Sequence, residues 1–348
     1  MAWPDNGRTA TIYDVAERAG VSIATVSRAL QTPEAVSQRY RDKVFVAISE
    51  MDYVPDASAR SLAARRQEAH GLILPELTGV YYADLVTGYE SVAGELDQSL
   101  VVVLARGKDD LERTARRLAT RVDAMAIMGS AGLPHALVTR LARTLPVVVV
   151  AGTPHDGVEV YRTESTTTAA DLTGRLLDAG RKQLAFVGDP EAAVDVKDRY
   201  AGFVAAHEAR GIQHRPVLVA DLTEAGGAAL AARTLAGREV PDGLVCANDL
   251  IAIALVDRLQ AAGLDVPGDV AVTGWDDVMA AKYLTPRLTT VRQPVRELAA
   301  LVACRLHDRV AGRVADSDWG ATHEIPTELV IRESCGTAQP THQEVSSP

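Results

Sequence analysis

From about residue 71 onward, short apolar runs alternate with longer helical stretches. Each run is rich in Val, Ile and Leu and is bounded by Gly or Asp. Such runs are typical of parallel strands buried on both faces, and the helices between them complete β-α-β units. The runs are GLILPEL, SLVVVLARG, AMAIMGS, PVVVVAG, QLAFVGD, GLVCAND and VAVTGWDD. The pattern changes near residue 163, which predicts an α/β body of two doubly wound lobes.

The first 54 residues show a different pattern, which is entirely helical. Thr11 and Asp14 have the spacing of a capping box that opens a first helix. Gly20 permits a sharp turn, and Ser22 is suited to cap a second helix. A third helix is predicted from Ser37 to about Asp52. Two short helices around a glycine turn, supported by a third, form the helix-turn-helix pattern.

The second helix of such a unit presents its N-terminal part to base edges in the DNA major groove. That geometry places Ile23, Ala24 and Arg28 on the groove side. An arginine there is able to bond guanine bidentately, and the two apolar side chains suit thymine methyl groups. The other candidate DNA contacts in this part of the chain are Thr11, Ser22, Thr25 and Ser27. Periodicity alone allows an ordinary helical hairpin equally well.

The chain carries a formal net charge of −10, which is unusual for a nucleic-acid binder. The acidity lies in the body, whereas residues 1–70 are nearly neutral. The three cysteines include no CxxC pair, and the first residues have no apolar signal region. The apolar runs are too short to span a bilayer. We therefore expect a cytoplasmic protein that makes no membrane contact.

Three segments, TIYDVAERAGVSIATVSRAL, VSQRYRDKVFVAISEMDYVP and ASARSLAARR, resemble the N-terminal module of the LacI/GalR family of bacterial transcriptional regulators. The resemblance continues through the body in GYESVA, DRYAGF, PDGLVCANDLIAI and VPGDVAVTGWDD. It implies a repressor that binds double-stranded operator DNA as a homodimer, with a small-molecule effector between periplasmic-binding-protein-like lobes. It also implies a hinge helix that folds on the operator, where Leu62 wedges into the minor groove and Arg60 lies beside the phosphates.

Ligands of open α/β sheets bind outside the carboxyl ends of the strands. Tyr81 follows the first predicted strand, Asn248 follows VCA, and Trp275 and Asp276 follow VTG. Arg199 stands in DRYAGF. Arginine, asparagine and aspartate suit hydroxyl-rich ligands, and aromatic side chains suit a ring face. The resemblance places Arg199, Asn248 and Asp276 at the usual effector contacts.

Each of these residues also has an ordinary structural interpretation. Asn248 and Asp276 are able to cap helices, Arg199 to form a surface ion pair, and Trp275 to fill the core; Asp277 is interpreted as a cap. The chain departs from the family pattern at Glu164–Ser165 and at Arg181. These departures leave the effector open, with a sugar or sugar derivative favoured over a purine co-repressor.

The predicted domains are a helix-turn-helix domain at 1–54, a hinge and linker at 55–70, a first lobe at 71–163 and 293–325, a second lobe at 164–292 and 326–336, and a disordered tail at 337–348. The tail has no leucine heptads, so we predict a dimer rather than a tetramer. Nucleotide-binding, hydrolase and metalloprotease motifs are absent, so no cofactor, metal or catalytic residue is assigned. The alternatives are a sugar receptor, or a sugar- or nucleoside-processing enzyme, on the same two-lobed scaffold.

Overall fold

The computed structural model describes residues 10–53, 66–237 and 240–337. They belong to two compact units, Met1–Gln67 and Glu68–Pro348. The predicted DNA contacts Arg60 and Leu62 lie outside the described residues, as does most of the predicted hinge and tail. Within the described part of the chain, no helix is both long enough and apolar enough to cross a membrane.

The N-terminal unit is a bundle of three helices, α1 (Ile12–Ala19), α2 (Ile23–Gln31) and α3 (Gln38–Glu50). The predicted capping box is present, because the Thr11 side chain accepts from Asp14 N–H while the Asp14 carboxylate accepts from Thr11 N–H. Ser22 caps α2, and Gly20 adopts φ 64°, which lets the chain reverse between the two helices. The core of this unit consists of Val15, Ala16, Ala19, Val26, Ala29, Val36, Val44, Ala47 and Tyr53.

The first lobe of the larger unit is a parallel sheet with helices packed against it. Its six strands have the order β10-β5-β4-β3-β1-β2. The strands are β1 (Ala69–Leu74), β2 (Ser99–Leu104), β3 (Ala124–Met128), β4 (Val147–Val150), β5 (Glu159–Thr163) and β10 (Thr322–Ile325). The helices are α4 (Val80–Glu95), α5 (Leu111–Ala119), α6 (His135–Ala142) and α11 (Val295–Val310).

The second lobe has a smaller parallel sheet of three strands in the order β6-β7-β8, beside an antiparallel pair of β9 and β11. The strands are β6 (Leu184–Val187), β7 (Gly243–Cys246), β8 (Ala271–Thr273), β9 (Thr290–Arg292) and β11 (Glu328–Val330). The helices are α7 (Thr166–Asp178), α8 (Val194–Glu208), α9 (Glu224–Ala236) and α10 (Asp249–Ala261). The predicted fold class, a helix-turn-helix domain and an α/β body of two lobes, is confirmed.

All seven apolar runs form parallel strands, but one is not buried as its composition suggested. Strand β2 lies at the edge of the first sheet, and Val101, Val102 and Leu104 are 39%, 37% and 37% exposed. An edge strand has one unpaired side, so its apolar side chains are covered less completely than those of central strands. The expectation that every apolar run is a buried strand was therefore wrong for β2.

Two glycines allow helices to pack closely in the two lobes. A Cβ at Gly88 of α4 would lie 2.3 Å from the backbone oxygen of Arg296 at the start of α11. A Cβ at Gly202 of α8 would lie 2.1 Å from the oxygen of Thr166 in α7. Each of these helix pairs therefore depends on a residue without a side chain.

We expect Gly88→Ala to destabilise the body by about 1–3 kcal/mol, because the added methyl group meets backbone that has to move. Gly94→Ala in the same helix is the matched control. A Cβ there would contact only the Glu90 side chain, at 3.7 Å. The control is expected to be neutral or to stabilise by about 0.5–1 kcal/mol. Urea-induced unfolding measures both changes, and equal effects of the two substitutions would contradict this account of the helix packing.

Candidate functional site

Helix α2 presents a mixed apolar and basic face to solvent. Ile23, Ala24 and Arg28 are exposed, whereas Val26 and Ala29 are buried in the core of the bundle. Thr25 and Ser27 are half-buried. The hydroxyls of Thr11 and Ser22 accept from backbone N–H groups at the starts of their helices. The residues predicted to contact bases are therefore exposed on α2, with Ile23 and Ala24 in its first turn and Arg28 in its last.

In the larger unit, polar side chains of the two lobes approach one another, and the region that they share between the lobes is named the cleft. Tyr81 lies in the first turn of α4, directly after the loop that follows β1. Arg199 extends from α8, and Asp276 lies in the loop that follows β8. Burial raises the pKa of the Tyr81 phenol, and the carboxylates of Asp195 and Asp276 raise it further. The structure thus brings a first-lobe tyrosine into the field of second-lobe charges.

Arg199 is held from three sides. Its Nη1 donates to the carbonyl of Ala247 at 2.6 Å, and its Nη2 pairs with the Asp195 carboxylate at 2.5 Å. The guanidinium carbon lies 4.7 Å from the centre of the Trp275 ring, which is a cation–π distance. The side chain is 4% exposed. The proposed surface ion pair is therefore wrong for Arg199, which is a buried and fixed charge.

Asp276 is turned into the same cleft by an unusual backbone conformation, with φ at 114°. Its N–H donates to the carbonyl of Val291 at 2.8 Å, which fixes that turn. Its Oδ1 accepts from Gln293 Nε2 at 2.5 Å, and Gln293 Oε1 accepts from Thr163 at 2.6 Å. These hydrogen bonds connect the Asp276 carboxylate with the end of β5 and with the segment after β9, where the chain passes between the lobes.

One ion pair bridges the lobes beside this cleft. Arg162 of β5 lies 3.5 Å from Asp198 of α8 and also pairs with Glu324 of β10. Asp198 is adjacent in sequence to Arg199. A movement of α8 relative to the first sheet therefore changes this ion pair as well as the cleft.

Comparison with known proteins assigns both units. Residues 11–56 match the family model for bacterial regulatory proteins of the lacI family, and residues 173–335 match the periplasmic binding protein-like domain. The chain is 32% identical over 309 residues to the ribose operon repressor of Escherichia coli K12, covering 86% of this chain and 93% of that protein. It is 30% identical over 341 residues to the transcriptional repressor PurR of Erwinia tasmaniensis, covering 93% and 96%.

A solved structure agrees over both units. The crystal structure of the Lac repressor dimer bound to operator and the anti-inducer ONPF matches with a TM-score of 0.83 at 26% identity, covering 94% of this chain and 99% of that chain. The chain belongs to the LacI family. It is a DNA-binding transcriptional regulator controlled by a small-molecule effector, not an enzyme.

The loop that carries Trp275 and Asp276 is positioned by a second buried carboxylate. Asp249 at the start of α10 accepts from Thr290 Oγ1 at 2.6 Å and from Val278 N–H at 2.9 Å. A Cβ at Gly274 would lie 2.1 Å from Oδ1 of Asp249. Position 274 therefore requires glycine for the loop to pack this close to the carboxylate. Burial raises the pKa of Asp249. These contacts hold the segment that carries Trp275 and Asp276 against α10.

Two of the predicted effector contacts have structural roles in this regulator. Asn248 caps α10, since its Oδ1 accepts from Ile251 N–H at 3.0 Å while its Nδ2 donates to Leu222 O at 3.0 Å. Trp275 is 1% exposed and supports the guanidinium of Arg199. Direct contact of either residue with an effector stays a prediction.

The interpretation of Asp277 as a helix cap was wrong. Its Oδ2 accepts from Arg292 Nε at 2.9 Å, and its Oδ1 accepts from Arg332. The short helical turn that follows has Val278 as its N-cap residue and no side-chain cap. Asp277 therefore joins the β8 loop to β9 and to the C-terminal segment of the second lobe.

Sequence reasoning missed Asp195 and Gln293. Asp195 stands four residues before Arg199, which is the spacing of an ion pair on one helix face, so a signal was present. Gln293 has no comparable local signal, because its partners Thr163 and Asp276 are distant in sequence. The ring of Tyr82 lies edge-on to that of Tyr81, with 5.4 Å between the ring centres. Burial raises the pKa of Tyr82 to about 12.

Asp276 gives the regulator a pH-dependent stability. Burial raises the pKa of this carboxyl from 3.8 to about 6, against the opposing effects of Arg199 and Gln293. The stability that the group contributes is therefore fully present below pH 3.8 and is lost as the pH rises through 6. We expect Asp276→Asn, which keeps an acceptor for Gln293, to increase the free energy of unfolding at pH 7.5 by roughly 1 kcal/mol, a discounted value for a partly exposed side chain.

This gain is expected to be constant above pH 6 and to shrink as the pH falls towards 4, as measured by urea-induced unfolding at several pH values. Asp178→Asn is the control. Hydrogen bonding to Arg210 lowers the pKa of Asp178, so the substitution is expected to bring no gain at pH 7.5. A gain for Asp276→Asn that does not vary with pH would show that the cost of the ionised carboxylate is not its cause.

Proposed function

We propose that this chain is a cytoplasmic repressor that binds a pseudo-palindromic operator as a homodimer and is controlled by a sugar bound between its lobes. The observation that carries the proposal is the arrangement of the cleft. Tyr81 approaches from the first lobe, and Arg199 and Asp276 approach from the second. The exposed face of α2 provides the surface that reads the operator.

Helix α2 has the side chains that direct reading of bases requires. Arg28 is exposed and suits the two acceptors of guanine in the major groove, whereas Ile23 and Ala24 suit thymine methyl groups. Thr25 and Ser27 complete this face, and Thr11 and Ser22 lie where helix N-termini suit phosphate contacts. Arg60 and Leu62 are proposed to contact the minor groove, in the segment outside the described residues.

The polar groups of the cleft favour a sugar over a purine. Purines bind best where an aromatic face is free for stacking. The Trp275 ring is 1% exposed and already faces Arg199, and Tyr81 lies at 89° to Tyr82. Asp276 and Arg199 supply charged hydrogen-bonding groups, which suit several hydroxyls. The relatives include a ribose operon repressor and the repressor PurR, so the choice of a sugar in this proposal is supported by the cleft geometry rather than by the relatives.

Effector binding is coupled to DNA binding through the lobes. A ligand that touches both lobes has different affinities for their open and closed arrangements, and only such a difference shifts the equilibrium. The Arg162–Asp198 pair and the Thr163–Gln293–Asp276 hydrogen bonds lie where the chain crosses between lobes, and they change with lobe orientation. By linkage, operator binding changes effector affinity by the same factor.

Arg28→Ala is expected to weaken specific operator binding by about 1–3 kcal/mol and to relax the preference at one base pair of each half-site. Arg18→Ala is the matched control, because Arg18 is an exposed arginine of the same unit that pairs with Glu50 at 2.5 Å. The control is expected to keep the base preference. Selection of binding sites from a random DNA pool measures both variants. An unchanged sequence preference in Arg28→Ala would exclude base reading by this side chain.

We expect a dimer in solution, with a mass near twice 37.0 kDa in sedimentation equilibrium. Two-fold symmetry of the protein matches two-fold symmetry of the operator, so each half-site binds one helix-turn-helix domain. The Lac repressor matched above is itself an operator-bound dimer. A monomer at micromolar concentration, or a stable tetramer, would contradict the prediction.

A further inference from the structure

The guanidinium of Arg199 is buried, and its charge is paired within the protein. Nη1 is bound by the Ala247 carbonyl, Nη2 by Asp195, and one face by Trp275. Its Nε is buried and has no hydrogen-bond partner among the described residues. Two of the five N–H groups of this guanidinium therefore bond to the protein, and its positive charge is already paired with the Asp195 carboxylate. A phosphate group requires several donors and an uncompensated positive charge.

Carboxylates outnumber cations around this guanidinium. Asp195 and Asp276 both act on the phenol of Tyr81, where their effect opposes that of Arg199. Asp198 lies on the same helix, and burial, with a smaller effect of the Asp195 carboxylate, raises the pKa of Asp198. Asp195 Oδ1 and Asp276 Oδ2 have no hydrogen-bond partner within the described ranges 10–53, 66–237 and 240–337. The cleft therefore offers free acceptors to hydroxyl donors, in a field that is negative overall.

We propose that the effector is an uncharged polyol the size of a monosaccharide, and that Asp195 is the residue that excludes its phosphorylated form. This inference rests on the proposed effector function of the cleft. It extends that function by naming the charge of the ligand and the side chain that selects it.

Asp195 acts through its charge and its position. A phosphorylated sugar has to displace Asp195 from Arg199, or else lie beside Asp195 and Asp276 without a counter-charge. Either arrangement places like charges a few ångströms apart in a partly buried site, which is strongly unfavourable. A free sugar instead donates hydroxyl hydrogens to the two unpaired carboxylate oxygens and does not require Asp195 to leave Arg199. Asp195 therefore discriminates mainly by repulsion of the wrong ligand.

Thermal shift and calorimetry on the full chain test this proposal with matched pairs: ribose and ribose 5-phosphate, glucose and glucose 6-phosphate, galactose and galactose 6-phosphate. For the wild type, at least one free sugar is expected to raise the melting temperature, and its phosphate to bind at least roughly tenfold more weakly. Asp195→Asn keeps the shape of the side chain but removes its charge, so that Arg199 is no longer neutralised. The ratio of the dissociation constant of the phosphorylated sugar to that of the free sugar is therefore expected to fall by roughly tenfold.

Two further variants separate charge from structural damage. Asp195→Glu keeps the negative charge and is expected to keep the rejection of phosphates. Glu208→Gln removes an exposed charge near the end of the same helix and is expected to leave the ratio unchanged. The proposal is overturned if a phosphorylated sugar binds the wild type as well as its free partner, if Asp195→Asn keeps the wild-type ratio, or if no free sugar of the set stabilises the wild type.

The same proteins are tested for selection of an operator from random DNA. If the protein selects a defined operator but binds phosphorylated sugars tightly, only the proposal that Asp195 excludes phosphorylated sugars is contradicted. Failure to select any sequence contradicts the regulator proposal, whatever the ligand results. Stabilisation by guanine or hypoxanthine in place of a sugar overturns both the polyol proposal and the choice of a sugar effector.

Discussion

Parallel strand pairing is the constraint on which the geometry of this regulator depends. Strands that run in one direction place all their carboxyl ends at the same edge of a sheet, so the residues that follow them meet there. In the second lobe this edge gathers Asn248 after β7 and Asp276 after β8, while β1 leads to Tyr81 in the first lobe. Residues separated by nearly two hundred positions therefore share one cleft without any local signal that connects them.

Some charged groups of the cleft are fully paired within the protein, and one is paired only in part. Arg199 is neutralised by Asp195, and Asp249 is satisfied by Thr290 and Val278, so both charges have structural roles. Asp276 is only partly satisfied, and its backbone conformation at φ 114° is strained for a residue with a side chain. Strain and incomplete pairing at one position are typical of a ligand site, where the missing partner arrives with the ligand.

The connections between the lobes give the cleft its regulatory character. The chain passes between lobes after β5, after β9 and after β10, and the Thr163–Gln293–Asp276 hydrogen bonds lie at two of these passages. Arg162 pairs with Asp198 across the lobes beside them. If the effector binds as proposed, ligand binding and lobe orientation act on the same few side chains, which gives a physical route from effector to lobe movement.

The sequence by itself determined the helix-turn-helix unit and the seven apolar strands, because these depend on local periodicity and capping residues. It also identified Arg199 and Asp276 as candidate effector-binding residues, because they stand in recognisable motifs. It did not determine that β2 is a partly exposed edge, that Asp277 pairs with arginines, or that Asn248 and Trp275 are satisfied or covered by the protein. Gln293 and the neutralisation of Arg199 by Asp195 were likewise decided by the tertiary structure. Sheet order, exposure and charge pairing depend on which distant segments meet, and no local pattern in the chain records that.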